Sequence, residues 1–461
     1  MRTEVEVEVI SNEIITPSSP TPSHLRHYQL SYLDQISPQT YNPLVLFYEL
    51  DDDYQDHHNG SINIDQISNK IKNSLSEVLT LYYPLAGRVK NNRFVDCNDE
   101  GIPYSVARVK SPSHLSDAIN NPLPKELNKF LPFNELYPLN EFPLGVQLNI
   151  FERGGVAVSL CLSHQLGDAL SCIMFVKSWA AIARGQGDRV VRPEFVSAEL
   201  FPPVDVLKYD PNATITKNVI SKRFVFEAKT IEAIRLNYEE KTRLEGERRP
   251  SRVEALSAFI WTRFVAATTS NNVDEHHSAE SVSVYSVFHP VNLRPKLNPP
   301  LPDHSFGNLY RWGFSLYPMS SSSAIDTSFS CDEYGCEAVR KIREGIRKVD
   351  NDFLRKVQQG EEEHFDFILE YAKELYMMGG ELRFFSFTSL CRFPLYDADF
   401  GWGKPLWVSS ASLTFSNFVA LMDSRNGNGI EAYIGLKEDQ MATLEADQDF
   451  LNALSPTVCY T

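Results

Sequence analysis

The chain has no run of lysine and arginine, no Cys-x-x-Cys pair, no Gly-x-Ser-x-Gly elbow and no long uninterrupted apolar stretch. Each absence narrows what the protein does. Lys and Arg number 44 against 60 Asp and Glu, for a net charge of −16. A nucleic-acid binder needs a concentrated basic footprint, so that class is set aside. A spanning helix needs about 20 apolar residues, which no segment approaches, so no membrane partner is expected. The start of the chain has neither the basic segment nor the apolar core of a targeting leader. Seven scattered cysteines, at 97, 161, 172, 331, 336, 391 and 459, read as reduced thiols of a reducing compartment. A cytoplasmic location is therefore expected, and the sequons at Asn59 and Asn212 then carry no glycan. Without the serine elbow, a hydrolase-type acyl-enzyme is not indicated.

Hydrophobic residues make up 43% of the 461 positions and charged ones 23%, the composition of a globular chain with a core. That length accommodates two or three domains. Glu4, Glu6 and Glu8 alternate with Val5, Val7 and Val9, the period of a half-buried strand. Ile64, Ile67, Ile71, Leu75, Val78 and Leu79 recur at helical spacing and predict a helix that stops before Pro84. Ser251 and Glu254 form a capping-box pattern ahead of an apolar helix. Strands are predicted over 218–228, 281–289, 407–422 and 429–436. A hairpin is predicted over 146–163, with its turn at Arg153-Gly154-Gly155. Helices and strands interleave throughout, so the fold class is α/β. Two domains of similar size on mixed sheets are expected, covering 1–200 and 217–461, with a proline-rich linker at 201–216.

The second hairpin strand reads Val156-Ala-Val-Ser-Leu-Cys-Leu-Ser163. Its large residues face one way and its small ones the other, leaving room for a strand or a ligand. His164 follows, then a helix from about Gly167 to Arg184 with Gly185 as its C-cap. A strand-to-helix junction lies at a sheet edge, where clefts form and backbone N–H groups are free. A neutral imidazole there can take a proton from a hydroxyl near physiological pH. Asp168 shares a face with His164 if helix already holds at 164; otherwise it points inward and fixes the loop. A structural histidine is the competing reading. A His/Asp metal pair finds no third ligand at usable spacing, so no metal is expected.

His164-Gln-Leu-Gly-Asp168 together with Asp399-Phe-Gly-Trp-Gly403, in this order and separation, resembles the plant BAHD acyltransferases. Leu30-Ser-Tyr-Leu-Asp-Gln35, Tyr83-Pro-Leu-Ala-Gly-Arg88, Asn292-Leu-Arg294 and Ser386-Phe-Thr-Ser389 agree with it, over nearly the whole chain. Val95-Asp-Cys-Asn-Asp99 and Asp399 to Pro405 look most like the vinorine synthase-like, alkaloid-acylating branch.

The resemblance implies two α/β domains of the chloramphenicol acetyltransferase type with a solvent channel between them, and a segment near 400–420 that packs with the N-terminal domain. It implies a monomer that uses acyl-CoA as co-substrate, with no tightly bound cofactor. The acyl group, acetyl by default, passes to a hydroxyl of a small specialised metabolite, an alkaloid for this branch. His164 is then the general base. Asp168 gives structural support by pairing with a basic residue, for which Arg294 is the choice, with Asp399 competing for that arginine. Asp399 is structural. Trp402, Thr388 and Ser389 are candidates for stabilising the oxyanion or lining the channel. Ser251 and Arg252, at a helix N-terminus, fit the CoA phosphates, with a plain helix cap as the alternative. Malonyl transfer would need a cation at the acyl pocket, for which Arg392 and Arg425 are candidates. A non-catalytic homologue that binds CoA esters would be expected to lose His164 or the Asp399 loop, and both are present.

Overall fold

A computed structural model of the chain describes residues 4–50, 63–120, 122–137, 141–204, 212, 218–244, 248–270, 283–319, 331–360, 363–377, 380–412, 414–425 and 427–455. Asn59, most of the 201–216 linker, and residues 271–280 and 320–330 lie outside the described residues.

Two six-stranded sheets dominate. In spatial order the first is Glu6–Ile15, Ile102–Ser111, Leu144–Phe151, Val156–Ser163, Tyr41–Tyr48 and Trp407–Ser409. The second is Tyr310–Met319, Ser283–Asn292, Glu381–Ser389, Phe418–Asp423, Ile430–Leu436 and Ile220–Phe226. Both are mixed. Ile102–Ser111 runs parallel to Leu144–Phe151, and Glu381–Ser389 is parallel to both of its neighbours. The molecule is thus an α/β protein of two domains.

The predicted hairpin forms, with Gly154 and Gly155 at φ of 103° and 92° in its turn. Val156, Val158, Leu160 and Leu162 bury against the helices Ile64–Leu81 and Ala169–Ala183. The small-residue face is covered by aromatic rings, including Phe47, Phe130, Phe151 and Trp407, and not by a ligand. The Ser251–Glu254 box is present as two hydrogen bonds, of 2.7 and 3.2 Å, at the start of Arg252–Ser270.

Two expectations are corrected. The first strand runs Glu6–Ile15, and Val9, Ile10 and Ile14 lie exposed along it. It is an edge strand, and Lys110 pairs with Glu6 and Glu8 there. Unmatched backbone at a sheet edge favours charge over a second buried face. The 407–422 run is not one strand. Trp407–Ser409 pairs with Tyr41–Tyr48 in the first sheet, whereas Phe418–Asp423 belongs to the second. A buried polar cluster marks the crossing. Glu431 accepts from Arg223 at 3.1 Å and from the Trp407 indole at 3.1 and 3.2 Å, and Ser409 and Tyr433 hydroxyls meet at 2.7 Å. A buried carboxylate persists only where donors replace its water.

Candidate active site

The strand Val156–Ser163 ends one residue before His164, whose backbone N–H donates to Thr40 O at 2.8 Å. Helix begins only at Ala169, so His164 lies in the intervening turn and Asp168 is the N-cap. Its carboxylate accepts from Ser171 N at 2.8 Å. The helix is apolar and buried around most of its surface, with Lys177 as its one charged, exposed side chain. It closes in a Schellman motif: Gly185 N donates to Ile182 O and Gln186 N to Ala181 O, both at 2.9 Å, with Gly185 at φ 76°.

Asp168 therefore turns away from the imidazole. Arg294 donates to both of its oxygens, at 2.8 and 3.1 Å, and Leu309 N donates at 3.2 Å. Arg294 also reaches Ser305 O and Ser171 Oγ. These bonds tie the strap 305–309 across the back of the histidine turn. Gly307, at φ 133°, belongs to that strap, and a Cβ there would lie 2.9 Å from Ser197 Oγ.

On the strap, Asn308 meets His164 twice, with its Oδ1 3.1 Å from the ring Nδ1 and its Nδ2 2.8 Å from the backbone oxygen. Asn308 is held in turn by the buried carboxylate of Asp34. The Tyr310 ring lies 5.9 Å from the imidazole, centroid to centroid. His164 is only partly exposed, and this burial lowers its pKa, outweighing the opposite pull of its own backbone carbonyl, Asp168 and Asn308. The ring is thus neutral at physiological pH and competent to accept a proton.

Tyr310 leads into the second sheet. It pairs with Asn292, the last residue of a strand parallel to Glu381–Ser389, which is itself parallel to Phe418–Asp423. Tyr310, Asn292, Ser389 and Asp423 therefore share one sheet edge. Thr388 and Ser389 stand two strands across from Tyr310, about 10 Å at ordinary strand spacing. Ser251 and Arg252 reach the same edge from the helix side. Arg252 donates to Asp423 Oδ1 at 2.8 Å and to Gly427 O at 2.7 Å, and Arg392 N donates to Asp423 Oδ2 at 2.6 Å. The side chains of Arg392 and Arg425 are exposed on these strand-end loops.

An aromatic wall extends from Tyr310 over the sheet face opposite the helices. Tyr310 and Trp312 lie 5.5 Å apart, Trp312 and Phe288 5.9 Å, and Phe288 lies 6.0 Å from Phe314 and 5.8 Å from Phe384. Phe384 is 40% exposed. The residues on this face, at even positions of 284–292, 310–316 and 382–388, include no charged side chain.

The Asp399 loop lies elsewhere. Asp399 pairs with Arg184 at 2.7 Å and accepts from Gly401 N and Gly403 N at 2.7 and 3.0 Å. Both glycines have positive φ, 93° and 85°, so the loop needs them for its shape. Trp402 packs 5.6 Å from Tyr48 and 5.8 Å from Phe400, with Lys70 over its ring. Arg184 is the C-cap of the 15-residue helix that Asp168 begins. At about 1.5 Å per residue the two ends are separated by roughly 22 Å. The structure brings Asp168 and Arg294 to His164 and leaves Asp399 and Trp402 at the far end. Among the described residues no His/Cys/Asp/Glu group could hold a metal, and no helix is long and apolar enough to cross a membrane.

The sequence profile of the Transferase family matches residues 5–451. Stemmadenine O-acetyltransferase of Catharanthus roseus is 35% identical over 459 residues, 97% of this chain and 98% of that one. Limonoid 21-O-acetyltransferase of Citrus sinensis is 35% identical over 462 residues, 98% of this chain and 99% of that one. Vinorine synthase of Rauvolfia serpentina is 36% identical over 450 residues, 96% of this chain and 97% of that one. The vinorine synthase crystal structure matches at a TM-score of 0.76, covering 99% of this chain and 100% of that one.

Proposed function

The chain belongs to the Transferase family, the BAHD acyl-CoA-dependent acyltransferases, and on that premise we propose that it moves an acetyl group from acetyl-CoA to a hydroxyl of a bulky specialised metabolite, with His164 as general base. The observation that carries this reading is a neutral, partly exposed imidazole at a sheet edge, backed by the Arg294–Asp168 pair and meeting the Tyr310 end of an aromatic wall.

The imidazole takes the acceptor's hydroxyl proton as the oxygen attacks the thioester carbonyl. The tetrahedral intermediate collapses with cleavage of the C–S bond, and the imidazolium returns the proton to the leaving thiolate. Both substrates are bound together, so positioning supplies much of the rate. Thr388, on the wall face of the same edge, is the hydroxyl we assign to the oxyanion; Ser389, the next residue along the strand, points to the other face, where its hydroxyl accepts from Cys391 N at 3.3 Å. Ser251 and Arg252, with Arg392 and Arg425 beside them, form the cationic entrance for the CoA phosphates. With those arginines on outer loops, acetyl is favoured over malonyl, whose free carboxylate would need a cation at the acyl pocket. The wall from Tyr310 to Phe384 suits a rigid polycyclic acceptor, an alkaloid by analogy with stemmadenine O-acetyltransferase. Donor and acceptor enter from opposite ends of the seam between residues 1–200 and 217–461, joined by the 201–216 crossover. We read the enzyme as a cytoplasmic monomer.

The test incubates purified protein with acetyl-CoA or malonyl-CoA and a panel of alkaloid and triterpenoid alcohols, reading free thiol and product mass. Acceptor-dependent release of CoA with an acetylated alkaloid is expected. Preference for malonyl-CoA, or no acceptor-dependent release across the panel, contradicts the assignment.

A further inference from the structure

We propose that Asp34, acting through the side-chain amide of Asn308, locks His164 in the tautomer protonated on Nδ1, so that Nε2 carries the lone pair that accepts the proton. The proposal rests on the reading of His164 as the base and adds which nitrogen acts and what selects it.

Asn308 can face the imidazole with either its oxygen or its nitrogen, and its other contacts decide between them. Its Nδ2 lies 2.9 Å from Asp34 Oδ1 and 2.8 Å from His164 O. Both are pure acceptors, a carboxylate and a peptide carbonyl. Reversing the amide would set oxygen against oxygen at both contacts, taking from His164 O its Asn308 donor and from Asp34 Oδ1 one of its two donors. Oδ1 must therefore face the ring, 3.1 Å from Nδ1. An amide oxygen cannot donate, so Nδ1 does. A neutral imidazole has one N–H, which leaves Nε2 unprotonated.

Asp34 is well placed to hold this orientation. It is fully buried, accepts from Ser31 N at 2.9 Å and Ser31 Oγ at 2.7 Å on one oxygen, and accepts from Asn308 N and Nδ2, each at 2.9 Å, on the other. This gives the Leu30–Gln35 motif a function at a histidine 130 positions away in sequence. The amide also serves as a neutral spacer. A carboxylate placed directly on Nδ1 would favour the imidazolium and raise the pKa of the base. The other carboxylate nearby, Asp168, is occupied by Arg294, Ser171 N and Leu309 N, and Tyr310 presents its ring. Asp34 and Asn308 are positioning residues, because the described contacts place them behind the ring.

The test is a long-range proton–nitrogen correlation spectrum of the full-length enzyme labelled with 15N-histidine, with His164→Ala identifying the His164 signals. A pyrrole-type Nδ1 and a pyridine-type Nε2 are expected. A protonated Nε2, or an even mixture of tautomers, overturns the proposal on the wild-type protein alone. Asn308→Leu removes the side-chain acceptor and leaves the ring only its own backbone carbonyl. It should mix the tautomers and lower kcat about 10- to 100-fold, the usual cost of losing a partner that orients a functional histidine, while the KM for acetyl-CoA stays within about twofold. Asp34→Asn should move the population the same way by a smaller amount. A folded Asp34→Asn enzyme with an unchanged spectrum and kcat removes Asp34 from the relay. If His164→Ala kept its turnover, the base assignment would fail while the wild-type tautomer remained a separate result.

Discussion

Asp168 and Asp399 each pair with an arginine far away in sequence, 126 and 215 positions distant, and both pairs are anchored on the helix Ala169–Ala183. Asp168 caps its start and Arg184 its end, so each charge also suits the helix dipole. The environments differ sharply. Arg294 and Asp168 are 1% and 9% exposed, whereas Arg184 and Asp399 are 35% and 22% exposed. The inner pair braces the strap behind His164, and the outer pair shapes a glycine loop about 22 Å away. Two acidic residues that look equivalent as motif members therefore do different work. One braces the strap behind His164, and the other sets how a distant loop closes over the core.

Asp168→Ala should give the largest effect. It strands a buried guanidinium, at a cost of about 3–5 kcal/mol, and releases the strap, so both melting temperature and turnover should fall. If turnover fell while melting by calorimetry stayed unchanged, Asp168 would have to act in the chemistry and not through structure. Asp399→Ala should cost less, about 1–3 kcal/mol, from a half-exposed ion pair and two loop hydrogen bonds. The folded variant should keep kcat within a few-fold, as checked by assays well below its melting point. In the double variant the two losses should add to within about 0.5 kcal/mol, since the sites are far apart. Larger coupling in the denaturant-unfolding cycle would mean that the helix transmits strain between them.

The capping box at Ser251 and the helix at Ile64–Leu81 were readable because their signals are local: a fixed offset and a helical period. His164 at a strand-to-helix junction was readable for the same reason. Asn308 was not, because nothing in Gly307-Asn308-Leu309 announces a partner 144 positions earlier. Asp34 lay in a motif visible as a pattern, but its role depends on a fold contact across 274 positions. The 407–422 run failed in another way. Alternation reports that residues are half buried and does not say in which sheet, so the crossover between Ser409 and Phe418 left no trace in the period. Trp402 shares a short motif with Asp399, and that motif gave no measure of its distance from His164.

The smallest effects concern pH and keep the two regions apart. Burial lowers the His164 pKa, so kcat/KM should rise with pH through a midpoint below about 6.5 and level off above it. For Asp399, Arg184 and the two loop N–H groups outweigh burial and hold the carboxyl below its usual range. Its contribution to stability is complete above the unfolded value of about 3.9 and is lost as pH falls through the lower folded value. Activity should thus disappear at a higher pH than the Asp399 share of stability. Coincident loss of both, by parallel rate and unfolding measurements, would contradict the separation.

The central claim is that proton transfer rests on His164 and on neither aspartate. It is tested most directly by the steady-state turnover of His164→Ala with acetyl-CoA and a competent acceptor, measured beside its melting temperature. A loss of about 10²–10⁴-fold in kcat with melting unchanged is the predicted result. Turnover near that of the wild-type enzyme from the folded variant would contradict it.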